Sequence, residues 1–157
     1  MRAFLLEDHT TPPHLAEIAQ PMPGPGQILV KIAACGLNFA DLLMVDGMYQ
    51  DTPTPPFTMG MELAGTVMGH GPGVDMPKVG ARVAIFAGQG GLAEYGVFDA
   101  RRAVPIPDAM PFPQAAGFLV AYGTSHLALT RKAGVKAGER LVVLGAAGGV
   151  GLSAVAL

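Results

Sequence analysis

The feature that most restricts what this chain can fold into is a glycine cluster near its C-terminal end, Val142-Val143-Leu144-Gly145-Ala146-Ala147-Gly148-Gly149-Val150-Gly151-Leu152-Ser153-Ala154. A β-branched run empties into glycines and restarts as small apolar residues, the pattern of a buried parallel strand, a tight turn and a close-packed helix. Gly148 and Gly149 lack the Cβ atoms that would keep an anion away, and the free N–H groups of the following helix's first turn favour a pyrophosphate. Gly151 lets that helix lie close on the strand. The strict G-x-G-x-x-G spacing has Ala146 in its first place, leaving A-x-G-x-x-G, so a purely structural joint between strand and helix stands as the alternative. A membrane span is a weaker alternative. Residues 141–157 carry no charge, but the stretch is shorter than the roughly 20 residues required, and its glycines make a poor isolated helix.

A dinucleotide fold needs further strands, and the side chain that selects between the two nicotinamide cofactors is expected about 20 residues past the glycines. The sequence ends at Leu157. The expectation is therefore a truncated piece, one complete domain plus the first βα unit of a second. With 50% hydrophobic and 14% charged residues among 157, the chain has the material for a sizeable core and is too apolar for disorder. A net charge of −2 gives no electrostatic reason to expect nucleic acid or an anionic membrane as partner. One cysteine, Cys35, cannot form an intrachain disulfide, and the apolar run 3–6 is too short for a secretory signal, so a cytoplasmic protein is expected.

Earlier in the chain the pattern is β. Residues 1–7 and 14–20 read as strands joined by Asp8-His9-Thr10-Thr11-Pro12-Pro13, and 27–34 partly alternates as a half-buried strand does. In 35–49, Asn38 is a candidate N-cap with Asp41 at N3. Phe39, Leu42 and Leu43 fall on one helical face, and Gly47 marks the end. Residues 50–56 are too proline-rich for regular structure. Runs at 61–69, 81–87 and 92–98, separated by glycine-rich turns, predict further strands and a small antiparallel barrel or sandwich. After a proline-rich linker at 105–113, residues 114–132 predict helix broken near Gly123, with a domain boundary between 100 and 125.

Gly36-Leu37-Asn38-Phe39-Ala40-Asp41, Gly60-Met61-Glu62-Leu63-Ala64-Gly65-Thr66-Val67, Gly80-Ala81-Arg82-Val83, Gly91-Leu92-Ala93-Glu94-Tyr95, Gly123-Thr124-Ser125 and the 145–151 glycines run almost end to end. In order and spacing they resemble the medium-chain dehydrogenase/reductase superfamily, and within it the zinc-independent, zeta-crystallin-like quinone oxidoreductase branch. The resemblance implies a mainly β GroES-like barrel with short helices over residues 1–112. Residues 113–157 would then hold connecting helices and the first βα unit of an α/β Rossmann domain.

In the superfamily's zinc-dependent alcohol dehydrogenases, a cysteine two residues after the first motif's glycine and a histidine before the second motif's glutamate bind the catalytic metal. Asn38 and Met61 stand in those places. An amide and a thioether are poor zinc ligands beside thiolate and imidazole. A four-cysteine structural site is impossible with one cysteine, and His9, His14, His70 and His126 have no ligand spacing, so no metal is expected.

The resemblance further implies NADPH as electron donor, with NADH left open, and hydride transfer to a quinone or conjugated carbonyl in a dry cleft between two domains. A homodimer is expected, with no nucleic-acid or membrane partner. Asn38, Asp41 and Tyr49 would line the catalytic cleft, while Thr124, Gly148, Gly149, Val150 and Gly151 would hold the cofactor. A structural reading stands beside several of them. Asn38 and Asp41 also suit a helix cap, Tyr49 suits packing on the proline loop, and Thr124 suits a helix start. Glu62 is read as structural and Cys35 as a core residue. The rivals in function are an enoyl-thioester or enone reductase, and a non-catalytic GroES-like domain acting as a binding or oligomerisation module. A zinc alcohol dehydrogenase is more distant.

Overall fold

The computed structural model describes residues 1–157 as two compact units, 1–117 and 118–157. In the first unit every strand pairing is antiparallel. Strand β1 (Arg2–Leu6) lies between β2 (His14–Glu17) and β4 (Phe57–Thr58) in a three-stranded sheet. A five-stranded sheet has the order β7-β3-β5-β6-β8, from β3 (Gln27–Gly36), β5 (Glu62–His70), β6 (Arg82–Phe86), β7 (Tyr95–Asp99) and β8 (Ala103–Pro105). A single bridge, Ala3 to Ala93, links β1 to the segment entering β7.

Alternation explains which faces are buried. Ile28 and Val30 of β3, Leu63 and Val67 of β5, Val83 and Ile85 of β6 and Phe98 of β7 form one core. Burying each of these side chains removes apolar area worth about 1.5–3 kcal/mol from water. β3 and β5, the longest strands, pair from Ile28–His70 to Gly36–Glu62, with irregularities in register after Leu29 and Ile32. That register sets Gly36 opposite Glu62.

Helix α1 (Phe39–Val45) follows β3 directly and begins after Asn38. Its buried residues are Asp41 and Met44, whereas Phe39 and Leu42 are 74% and 62% exposed. Of the apolar face expected from spacing, Phe39 and Leu42 therefore point outward while Leu43 is half-buried, because hydrogen bonds draw Asp41 inward and the helix rotates with it. Helix α2 (Phe112–Ala116) closes the unit, with Ala115 and Ala116 buried. The linker before it is tied to β6 by Arg82. Its guanidinium donates to the carbonyls of Pro107 at 2.9 Å, Asp108 at 2.6 Å and Met110 at 2.5 Å, and it stacks 4.3 Å over the Phe112 ring.

In the second unit, α3 (Leu119–His126) runs through Gly123 without the expected break and continues into π-helix over Leu127–Lys132. There the Ala133 N–H donates to the Ala128 carbonyl at 2.8 Å. One glycine costs a helix only about 1 kcal/mol, too little to stop a run that has Leu119 and Ala121 before it and Leu127, Ala128 and Leu129 after it. Residues 142–144 form no strand, and Val142 and Leu144 are 82% and 88% exposed. A parallel strand exists only by bonding to a neighbour, and no other segment of this unit is a strand. The helix half of the βα unit is present as α4 (Gly149–Ala156).

Candidate functional site

In the first unit the site is built where β3 ends and α1 starts. The Asp41 carboxylate closes the first turn of α1, its Oδ2 accepting the Asn38 backbone N–H at 2.8 Å. Its Oδ1 accepts the Met61 backbone N–H at 3.2 Å, which ties α1 to the turn that launches β5. The Asn38 side chain turns the other way, its Nδ2 donating to Glu62 Oε1 at 2.9 Å. Asp41 is 5% exposed and Glu62 2%. Burial raises the Asp41 carboxyl above its ordinary value, against backbone hydrogen bonds from Asn38, Met61 and Gly60 that lower it. The Cys35 thiol is pushed up to about 12, chiefly by burial and then by the charges of Asp41 and Glu62. At neutral pH it is a neutral thiol.

Two glycines make room for that thiol. A Cβ at Gly60, whose φ is +93°, would lie 2.7 Å from Cys35 Sγ, and one at Gly91 would lie 2.9 Å from it. Tyr49 sits in the turn after α1, half-buried, its carbonyl accepting from the Thr52 hydroxyl at 2.6 Å. Asn38 and Asp41 are thus joined, while no hydrogen bond links the Tyr49 side chain to either. Glu62 joins the pair although its sequence context, a single acid at the head of an apolar strand, reads as structural. The signal that reveals it is the pairing opposite Gly36. No three His, Cys, Asp or Glu side chains are grouped so as to hold a metal ion.

In the second unit the glycine cluster forms a tight turn. Gly145 has φ +66°, the Gly148 N–H returns to the Gly145 carbonyl at 3.0 Å, and the first bond within α4 runs from the Leu152 N–H to Gly148 at 2.7 Å. The N–H groups of Gly149, Val150 and Gly151 precede that bond, as the orphan donors of a helix N-terminus do. A Cβ at Gly149 would meet nothing within 4 Å, whereas one at Gly151 would strike the Gly145 carbonyl. The turn is therefore open on its outer side and closed on its inner side. A concavity of about 450 Å³ lies against it, lined by Val143, Gly148, Gly149, Val150, Ser125 and Leu129 among others. Two buried serines hold α4 to α3. Ser125 Oγ donates to the Val150 carbonyl at 2.7 Å and lies 2.8 Å from Ser153 Oγ, which reaches the Ala121 carbonyl at 3.0 Å. Thr124 is on α3, exposed.

The alcohol dehydrogenase GroES-like domain model matches residues 24–108, more than half of the chain and the whole five-stranded sheet. The chain belongs to the alcohol dehydrogenase GroES-like family. As a GroES-like chain it is 42% identical over 139 residues to the human synaptic vesicle membrane protein VAT-1 homolog, covering 88% of itself and 35% of that protein. Mouse quinone oxidoreductase-like protein 2 is 36% identical over 154 residues, with coverage of 98% and 44%. Among solved structures, the quinone oxidoreductase from Thermus thermophilus, determined also in complex with NADPH, superposes with a TM-score of 0.87 at 36% identity, covering 99% of this chain and 48% of that one. The GroES-like chain thus sits within the medium-chain dehydrogenase/reductase superfamily and spans less than half the length of these relatives. No helix in it is long and apolar enough to cross a membrane.

Proposed function

We propose that this chain is part of an NADPH-dependent reductase of the zinc-independent quinone oxidoreductase type, acting on a quinone or conjugated carbonyl. Residues 1–112 would be its catalytic domain, and residues 113–157 the connecting helices and the start of its nucleotide-binding domain. The observation that carries this reading is the 145–151 turn. Its outer side is clear of side chains at Gly149, and it presents the N–H groups of Gly149, Val150 and Gly151 at the start of α4. These donors suit a pyrophosphate. The similar Thermus quinone oxidoreductase, which forms a complex with NADPH, lends support. The bound nicotinamide would supply a hydride. The chain's own residues would do the rest, Thr124 on α3 helping to seat the cofactor while Asn38, Asp41 and Tyr49 face the substrate. Charge gathers on the acceptor's oxygen as the hydride arrives, and a fixed amide donor such as Asn38 stabilises it without water having to reorganise.

Metal chemistry is not part of this reading. Asn38 and Met61 occupy the metal-ligand places of the zinc enzymes, and the Asn38 amide is already bonded to Glu62. NADPH oxidation by the whole protein with quinones and with enones is the test. Turnover of quinones supports the proposal, turnover of enones alone reassigns it to enone reduction, and stoichiometric zinc by metal analysis refutes the metal-free mechanism. A second reading, a binding or oligomerisation module, draws on the exposure of Leu37, Phe39, Leu42 and Met48 around α1. A dimer in sedimentation together with no NADPH binding would favour it.

A further inference from the structure

We infer that Glu62 is a positioning residue, whose carboxylate locks the Asn38 side-chain amide in one orientation for the reaction proposed above, a reading on which this inference rests. Glu62 heads β5, is 2% exposed, and accepts from Asn38 Nδ2 at 2.9 Å. Glu62 Oε1 is the acceptor of that bond. The amide must therefore turn its nitrogen to Glu62, because the flipped amide would set Oδ1 against the carboxylate oxygen. One Nδ2 proton is committed, and the other is held in a fixed direction, available to a substrate oxygen.

The backbone is arranged to let Glu62 reach. Gly36 is its partner across β3 and β5, and a Cβ there would lie 2.6 Å from Glu62 Oε1 and 2.8 Å from its Cγ. The glutamate stem thus lies in the space that residue 36 leaves empty and ends at Asn38, two residues further along. Asn38 is held from its other side as well, its own N–H bonded to Asp41 Oδ2 at 2.8 Å. Backbone and side chain of one residue are clamped by two different carboxylates. Of the two carboxylates, only Glu62 bonds the side-chain amide. A donor held in place before the reaction is worth more than a mobile one, since its orientation costs nothing in the transition state.

Two measurements test this. In the whole protein, Glu62→Leu removes the acceptor at similar size, and Glu62→Gln keeps an oxygen that accepts from Asn38. We expect Glu62→Leu to lower kcat about tenfold with KM for NADPH unchanged, and Glu62→Gln to recover kcat to within about threefold. In an Asn38→Ala background Glu62→Leu should lower kcat no further. A folded Glu62→Leu protein with wild-type kcat, or an equal loss with and without Asn38, overturns the inference. The second measurement needs no turnover. Asn38 is the only asparagine in the chain, so asparagine-selective ¹⁵N labelling of the 157-residue chain gives one side-chain amide pair. One proton of that pair should exchange slowly in the wild type and fast in Glu62→Leu or Glu62→Gly. Fast exchange in the wild type refutes the lock even where a variant fails to fold. If the wild-type whole protein oxidises NADPH with neither acceptor class, the functional reading falls and the exchange data alone decide the lock.

Discussion

Asp41 Oδ1 accepts the backbone N–H of Met61 at 3.2 Å, twenty residues away in sequence. The bond fastens the first turn of α1 to the entry of β5. Burial raises the carboxyl of this 5%-exposed residue, and that has a consequence for stability. A carboxyl that holds its proton more tightly when folded contributes stability at low pH, and loses it as pH climbs through its raised value.

The expected result is that the melting-temperature gap between the wild type and Asp41→Asn narrows as pH rises from the ordinary aspartate range through neutrality. Asp8 and Asp99 act in the opposite sense. Hydrogen bonds from Thr10 and Thr11, and from Arg101, hold them at about 2, so their contribution is lost only on acidification. They are common to both proteins and cancel in the difference. Thermal unfolding across pH checks this, and a gap that widens toward neutral pH refutes it.

Cys35 should be a slow thiol. With its thiol pushed up to about 12 by burial and the charges of Asp41 and Glu62, its thiolate fraction at pH 8 is about a thousandfold below that of an unfolded cysteine. An aromatic disulfide reagent should react slowly with the folded chain and rapidly in denaturant. Rates within tenfold of each other would contradict the assigned environment.

Gly60→Ala should destabilise the first unit by on the order of 2 kcal/mol or more. The new Cβ would lie 2.6 Å from the Leu92 amide nitrogen and 2.7 Å from Cys35 Sγ, at a φ of +93°. Trimming the thiol with Cys35→Ala should recover only part of the loss, because the backbone contact and the dihedral remain. Denaturant unfolding of the two single variants and the double variant gives the answer.

Arg82→Lys should lose most of what Arg82→Ala loses, about 1–3 kcal/mol. A lysine keeps the charge but cannot bond the Pro107, Asp108 and Met110 carbonyls at once. Limited proteolysis should then cut sooner within the linker 106–111. Unchanged cleavage in Arg82→Ala would show that the linker is held by other contacts.

Much of the first unit was legible in local pattern. The alternation around Ile28 and Val30 located β3, and the glycine- and proline-rich turns separated β5 from β6. Asn38 with Asp41 marked the start of α1. The same spacing misjudged which face of α1 is buried, because Phe39 and Leu42 look like core until Asp41 is seen bonded to Met61. Residues 142–144 carry a strand's composition and are no strand, because β structure depends on a partner that local sequence does not contain. Gly123 looked like a stop, yet the helix runs through it, because one glycine costs only about 1 kcal/mol and the helix is held by the Ser125 and Ser153 hydrogen bonds to its neighbour.

The sequence by itself determined the residue types, and with them the strand-forming runs of the first unit, the glycines of the turn and, by the family resemblance, an amide where zinc enzymes carry a thiol. Only the tertiary structure decided that Glu62 meets Asn38. The register of β3 on β5 sets a glycine against a glutamate, and a pairing between distant segments follows from packing and backbone hydrogen bonds rather than from neighbours in the chain.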